Sequence, residues 1–314
     1  MAIRITLALV LGVAVTASSE FTEWSAPQAV GAPVNTTGVD GAPYLSKNGL
    51  SLYIGGPGPD GSSDVLVAQR AGTDLPWNAP LEIPSINTGA TETNPTLSPD
   101  EHRMYFTSTR ADGFGGQDIW VSRRHDRRDD LGWEQPVNVG SNVNTPFNEL
   151  SPTMFEDERT GVITMYFGSD RPGGLGSFDI YSSTLLPDGT FAPAVRVDEL
   201  SSPYADQGPC VRKDGLEIFF ASSRPGTLGQ TDLMVATRAS TSDPWSPPVY
   251  LGAPINTPFG DQAPGLSFDG LTLFYASTAN LPGATGPCSG PLGPCVSDIF
   301  FVTRSRLKGA HDQK

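Results

Sequence analysis

Short apolar runs of four to six residues recur along the chain, rich in aromatic and β-branched side chains and bounded by Gly, Pro, Asn and Asp. Met104-Tyr105-Phe106, Met165-Tyr166-Phe167, Ile218-Phe219-Phe220 and Leu273-Phe274-Tyr275 are the clearest of them. Such runs read as strands rather than helices. Asn48-Gly49, Asp214-Gly215 and Asp269-Gly270 precede three of the runs. These are hairpin signals, because both central residues of a type I′ turn need positive φ. Outside the first twenty residues no stretch shows a helical period.

The runs belong to a longer pattern, repeated five times at intervals of about 55 residues, a period that points to propeller blades. Each copy opens with an aromatic residue and a proline: Trp24 and Pro27, Trp77 and Pro80, Trp133 and Pro136, Phe191 and Pro193, Trp245 and Pro247. An Asn-Thr pair follows, with an acid five residues after the Asn: Asn35 to Asp40, Asn87 to Glu92, Asn144 to Glu149, Asn256 to Asp261. The fourth copy has Ser201 in place of Asn and still reaches Asp206. Each acid starts an acid-x-x-Pro motif, and each copy closes on an Asp before a last apolar run: Asp64, Asp118, Asp179, Asp232 and Asp298. The prediction is an all-β, single five-bladed β-propeller with four antiparallel strands per blade. One outer strand is left over at the start and one is missing at the end, so the N-terminal strand is expected to close the last blade by pairing residues 26–31 with 298–304. That arrangement removes two exposed sheet edges.

Ser98-Pro99-Asp100, Leu-Tyr-Phe-like runs, and Phe167-Gly168-Ser169-Asp170-Arg171-Pro172-Gly173-Gly174-Leu175-Gly176 leading to Asp179-Ile180-Tyr181 resemble the WD40-like PD40 β-propeller repeat of bacterial envelope proteins, the repeat of TolB-type propellers. The resemblance spans nearly the whole chain and implies the fold. A repeat scaffold of this kind hosts many roles.

Residues 1–17 read as a signal peptide: Arg4, an apolar run from Ile5 to Val15, and Val15-Thr16-Ala17. The domain expectation is therefore a signal peptide at 1–17, the propeller over 18–307 and a disordered C-terminal tail at 308–314. A periplasmic or secreted location follows, with no membrane insertion and a monomeric state. The formal net charge of −14 argues against nucleic acid as a partner, which needs a cationic footprint. In an oxidising compartment Cys288 and Cys295 are expected to form a disulfide across a Pro/Gly-rich loop. Cys210, inside a strand, reads as a small core residue.

The catalytic motif search is negative. The three histidines lack paired spacing, there is no Gly-x-Ser-x-Gly, and Gly56, Gly58 and Gly61 have no following helix to make a dinucleotide site. The segment Arg123 to Asp130 reads as a solvated strand connection. What remains is the acid ring. Asp40, Glu92, Glu149, Asp206 and Asp261 start the innermost strands and are expected at one mouth of the channel, with Arg110, Arg171 and Arg224 on the same face. The acids either hold blades in register or form a cation or polar-ligand site. No cofactor is expected, with a channel cation such as calcium left open and the metal unknown. Arg110, Arg171 and Arg224 have no counterpart in the first and fifth copies, and the longest insertion, Ala279 to Ser297, falls in the fifth, so partner contacts are expected to favour the loops of blades two to five. The function expected from these residues is a non-catalytic binding or scaffold propeller recognising a protein, peptide or envelope glycan. The alternative is a glycan-active hydrolase, which would need carboxylates in unequal environments.

Overall fold

The computed structural model describes residues 20–289 and 295–307; the expected signal peptide and C-terminal tail lie outside them. Among these residues there are five four-stranded antiparallel sheets and no helix. β1 (Gln28–Ala29) is followed by blade one, β2 (Gly41–Leu45), β3 (Ser51–Pro57), β4 (Ser63–Gln69) and β5 (Leu81–Glu82). Blade two is β6 (Glu92–Leu97), β7 (Arg103–Ser108), β8 (Asp118–Arg123) and β9 (Val137–Asn138). Blade three is β10 (Glu149–Asp157), β11 (Val162–Ser169), β12 (Asp179–Thr184) and β13 (Val195–Arg196). Blade four is β14 (Asp206–Val211), β15 (Glu217–Ser222), β16 (Asp232–Thr237) and β17 (Val249–Tyr250), and blade five is β18 (Asp261–Leu266), β19 (Thr272–Ser277) and β20 (Asp298–Thr303). We call the four strands of each blade a to d in that order.

β1 is the missing fourth strand of blade five, pairing Gln28 with Phe301 and Ala29 with Phe300. Backbone bonds from Ser25 N to Thr303 O (2.8 Å) and Thr22 N to Ser305 O (2.9 Å) extend the closure. The opening aromatic of each copy therefore belongs to the blade before it. Trp24, Trp77, Trp133 and Trp245 each cover an arginine that follows strand c, with Arg304, Arg70, Arg124 and Arg238 lying 4.4, 4.2, 4.5 and 4.1 Å from the ring centroids. Each of these arginines donates Nε to a carbonyl of the turn between strands a and b: Gly270, Gly49, Glu101 and Gly215. The tryptophan lid desolvates one face of the guanidinium while the fork stays bonded. Blade three keeps only an apolar version, Leu185 paired with Phe191.

The core is distributed between the blades. Five apolar clusters each join one blade to the next, from Tyr53 with Phe106 between blades one and two to Ile54 with Phe274 between blades five and one. Both faces of the b strands pack against neighbours, which explains continuous apolar runs such as Ile218-Phe219-Phe220 instead of alternation. Cys210 lies in one of these clusters, and burial pushes its thiol up to about 12. Cys288 and Cys295 are disulfide-bonded.

The acid-x-x-Pro motif marks a bulge in every a strand. Each time, two residues oppose one on strand b: Ala42-Pro43, Asn94-Pro95, Ser151-Pro152, Gly208-Pro209 and Ala263-Pro264. Proline cannot donate to a ladder, so it sits where the ladder is interrupted. The residue before it takes a left-handed φ in all five blades, between 49° and 64°.

The 123–130 segment is exposed at Arg123 and over 125–129, as expected of a solvated connection, and departs from it at Arg124 and Asp130. Arg124 and Asp130 are buried and paired at 2.8 Å, and Tyr53 Oη and Ser51 Oγ each donate to Asp130 at 2.5 Å. The partners sit on blade one, so the latch is invisible to local spacing.

Candidate functional site

At the face where strands d lead into a, the conserved spacing of each copy resolves into three separate jobs. The asparagine clasps the preceding blade: Asn144 accepts from Ile119 N (2.9 Å) and donates to Ile119 O (2.9 Å). Asn35, Asn87 and Asn256 do the same to Ile299, Val65 and Leu233. Asn35 thereby joins blade one to blade five. Ser201, the odd residue of the fourth copy, reaches Ile180 O only at 3.5 Å.

The threonine after each asparagine closes its loop on the acid four residues later. Thr36, Thr88, Thr145 and Thr257 donate backbone N–H to Asp40, Glu92, Glu149 and Asp261 at 2.5, 2.7, 2.6 and 2.6 Å, and Ser202 Oγ serves Asp206 at 2.6 Å. A serine at the end of strand b adds a second donor: Ser108 to Glu92, Ser169 to Glu149, Ser222 to Asp206 and Ser277 to Asp261. In blade one that position is Gly56.

The arginines complete three of the five sites. Arg110, Arg171 and Arg224 lie 3.2, 3.2 and 3.0 Å from Glu92, Glu149 and Asp206. Each also donates to the carbonyl just before the clasp residue, at Ile86, Val143 and Leu200. Their side chains are 11 to 17% exposed and the carboxylates 0%. These arginines thus point into the blades, where they neutralise the acids and tie down the loops.

Blades five and one break the pattern. Asp261 and Asp40 are fully buried and have no arginine, and burial pushes each carboxyl up to about 6. Asp261 still holds its serine. Asp40 Oδ1 has no hydrogen-bond partner among the described residues. A Cβ on Gly56 would lie 3.5 Å from it, but Leu66 Cδ1 at 2.8 Å closes the space a serine would use. Glu149 is also raised by burial, against the pull of Ser169, Thr145 and Arg171.

The second set of acids caps the glycine-rich loops. Asp118, Asp179, Asp232 and Asp298 accept N–H bonds from residues three and four positions, or twelve and thirteen, upstream, as in Leu175 N to Asp179 at 2.7 Å. Among the described residues no group of three or more His, Cys, Asp or Glu is placed to hold a metal ion.

The sequence reading overlooked the residues that line the channel. The bulge ring forms a waist between two chambers. One chamber, of about 230 Å³, opens at the acid-bearing face and includes Thr93, Leu150, Gln207 and Gln262, each directly after an acid. The other, of about 210 Å³, lies toward the a–b turns and is lined by the prolines, Tyr44, Phe155 and Phe268. The available signal was strand alternation: if the acid points into the blade, its successor points into the channel.

No family model matches the chain, and no curated protein matches it. Solved structures share its fold. The catalytic domain of the Coprinopsis cinerea GH62 α-L-arabinofuranosidase aligns with TM-score 0.60 and 12% identity over 91% of this chain and 98% of its own. The α-L-arabinofuranosidase of Lactobacillus brevis aligns with TM-score 0.56 and 18% identity over 86% and 92%. A protein described as TolB from Agrobacterium tumefaciens aligns with TM-score 0.48 and 17% identity over 87% and 92%, and the resemblance to the PD40 repeat has no support from a family model. Further matches are family-43 hydrolases, xylosidases and arabinanases. This set overturns the expectation of a non-catalytic binding or scaffold propeller. The solved structures with TM-scores above 0.5 named here are glycan-cleaving enzymes, and at 11–18% identity what they share with this chain is the fold.

Proposed function

We propose that the chain is a glycan-active hydrolase of the five-bladed propeller type, with Asp40 as proton donor and Glu92 of the next blade, bridged to Arg110, as the second carboxyl group. The observation that carries this is the broken symmetry of the ring. Equivalent carboxylates stand in unequal surroundings, one buried without a cation and with a free oxygen, its neighbour bridged to Arg110. Glycoside cleavage needs that inequality: one carboxyl gives a proton to the leaving oxygen, and one carboxylate activates water or attacks the sugar carbon. Asp40 is fully buried in the described state, so the reaction requires its cover to move aside. The glycosidases of the same fold support the substrate class, and the Cys288–Cys295 bridge supports action in an oxidising, extracytoplasmic compartment.

The test is turnover of aryl α-L-arabinofuranosides and β-xylosides, and of arabinan and xylan, by the purified chain. Wild type is expected to cleave at least one of these. Asp40→Asn should lose on the order of 10²–10⁴-fold, the usual contribution of a general acid. The reactive form is protonated, so the rate should fall as pH rises through about 6. Absence of turnover on every substrate, or an Asp40→Asn enzyme as fast as wild type, would defeat the reading.

A further inference from the structure

The chamber at the acid-bearing mouth has an unusual composition for this protein. The chain carries 34 acidic and 20 basic residues, yet among the described residues no charged side chain lines this space of about 230 Å³. Thr93, Asn94, Ser151, Gln207, Gln262 and Ser297 converge on it from blades two to five. The cause is strand alternation. Each acid at the start of strand a turns into its blade, so the next side chain faces the axis.

Ser297 marks the chamber as unfinished. It is 6% exposed, and its Oγ has no hydrogen-bond partner among the described residues. A buried hydroxyl left unpaired costs about 1–3 kcal/mol, which a ligand hydroxyl can relieve. Leu150 supplies an apolar wall beside the amides and hydroxyls. Ala42, Asn94, Ser151, Gly208 and Ala263 of the five bulges line both chambers and stand between them.

From this lining we infer that the chamber is a subsite for one uncharged sugar residue, the terminal unit of a glycan. Carboxamides both donate and accept, so they match vicinal hydroxyls, whose own oxygens do the same. A uronate or phosphorylated sugar would bring a charge into a space with no counter-ion and would pay its desolvation. The waist favours a chain end over a threaded polymer. This inference rests on the hydrolase reading only for what happens to the sugar after it binds.

The experiment is a titration of the purified chain with L-arabinose, D-xylose, D-glucose and D-glucuronate, followed by calorimetry or ligand-observed NMR. At least one neutral sugar is expected to bind at least about tenfold more tightly than D-glucuronate, equivalent to about 1.4 kcal/mol. Gln207→Leu with Gln262→Leu should weaken that sugar by about tenfold or more. Ser297→Ala, which deletes an oxygen with no partner to lose, should weaken it severalfold without lowering the melting temperature. Binding of D-glucuronate as tight as that of the neutral sugars, affinity unchanged in the double variant, or no binding of any neutral sugar would each overturn the inference. Glutamine-dependent binding without turnover sinks the hydrolase reading and keeps the subsite. Turnover that survives the double variant does the reverse.

Discussion

Blades two, three and four hold their carboxylates with an arginine, while blades five and one hold theirs without. The clasp and the loop-closing N–H occur on both sides of that divide, in blades two, three, five and one, and all five acids stand at the start of strand a. In the first group a guanidinium spans the acid and a loop carbonyl and fixes the acid in place, as a structural anchor at Glu149 and Asp206 and as the held partner of Asp40 at Glu92. In the second group the carboxyl is buried alone and pushed up to about 6. A repeat thus keeps its framework where the motif is complete. The copies that drop a partner have acids whose charge state is free to change.

Substituting the two kinds of acid should move stability in opposite directions. Asp206→Asn breaks a buried pair and strands Arg224 beside a neutral amide, which should cost about 2–4 kcal/mol in chemical denaturation. A cost below about 1 kcal/mol would mean that the arginine is satisfied by Leu200 O alone. In blade one the linkage has the other sign. The folded carboxyl of Asp40 binds its proton more tightly than the unfolded one, so stability falls as pH rises from about 4 to about 6. Asp40→Asn should remove that slope and gain about 1–2 kcal/mol at pH 8, with little change at pH 4. Equal denaturation profiles for wild type and variant at pH 8 would erase the distinction between the two groups of blades. The smallest effect is expected where a missing clasp is restored. Ser201→Asn should recreate the two-point bond to blade three and add about 0.5–1.5 kcal/mol, while Asn144→Ala, removing an intact clasp, should cost about 2 kcal/mol. A clasp effect confined to one blade would show that the register does not depend on it.

The sequence made the architecture readable because the same strand and turn signals occur five times, and Trp24 alone at the start announced the closing strand. It also placed the five acids on one face. It did not show which way the side chains turn. Arg110, Arg171 and Arg224 follow serines in loops that look exposed, and only the aromatic residues Phe106, Phe167 and Phe220 beneath them reveal an inward course. The Arg124–Asp130 latch was missed for a related reason, since its other half is on a different blade. Gln207 and Gln262 carried no chemical signature at all, and their place on the axis follows from the fate of the acid before them.

The closure of the ring has a mechanical consequence. Glu20 O accepts from Leu307 N at 2.9 Å, so the two ends of the described chain lie side by side on one antiparallel edge. Tension applied to both ends would load the Glu20, Thr22, Ser25 and Val30 bonds one after another, as in opening a zipper. The propeller should therefore yield at low force from blade five, and the inter-blade clasps would be reached only after its outer strand has peeled away.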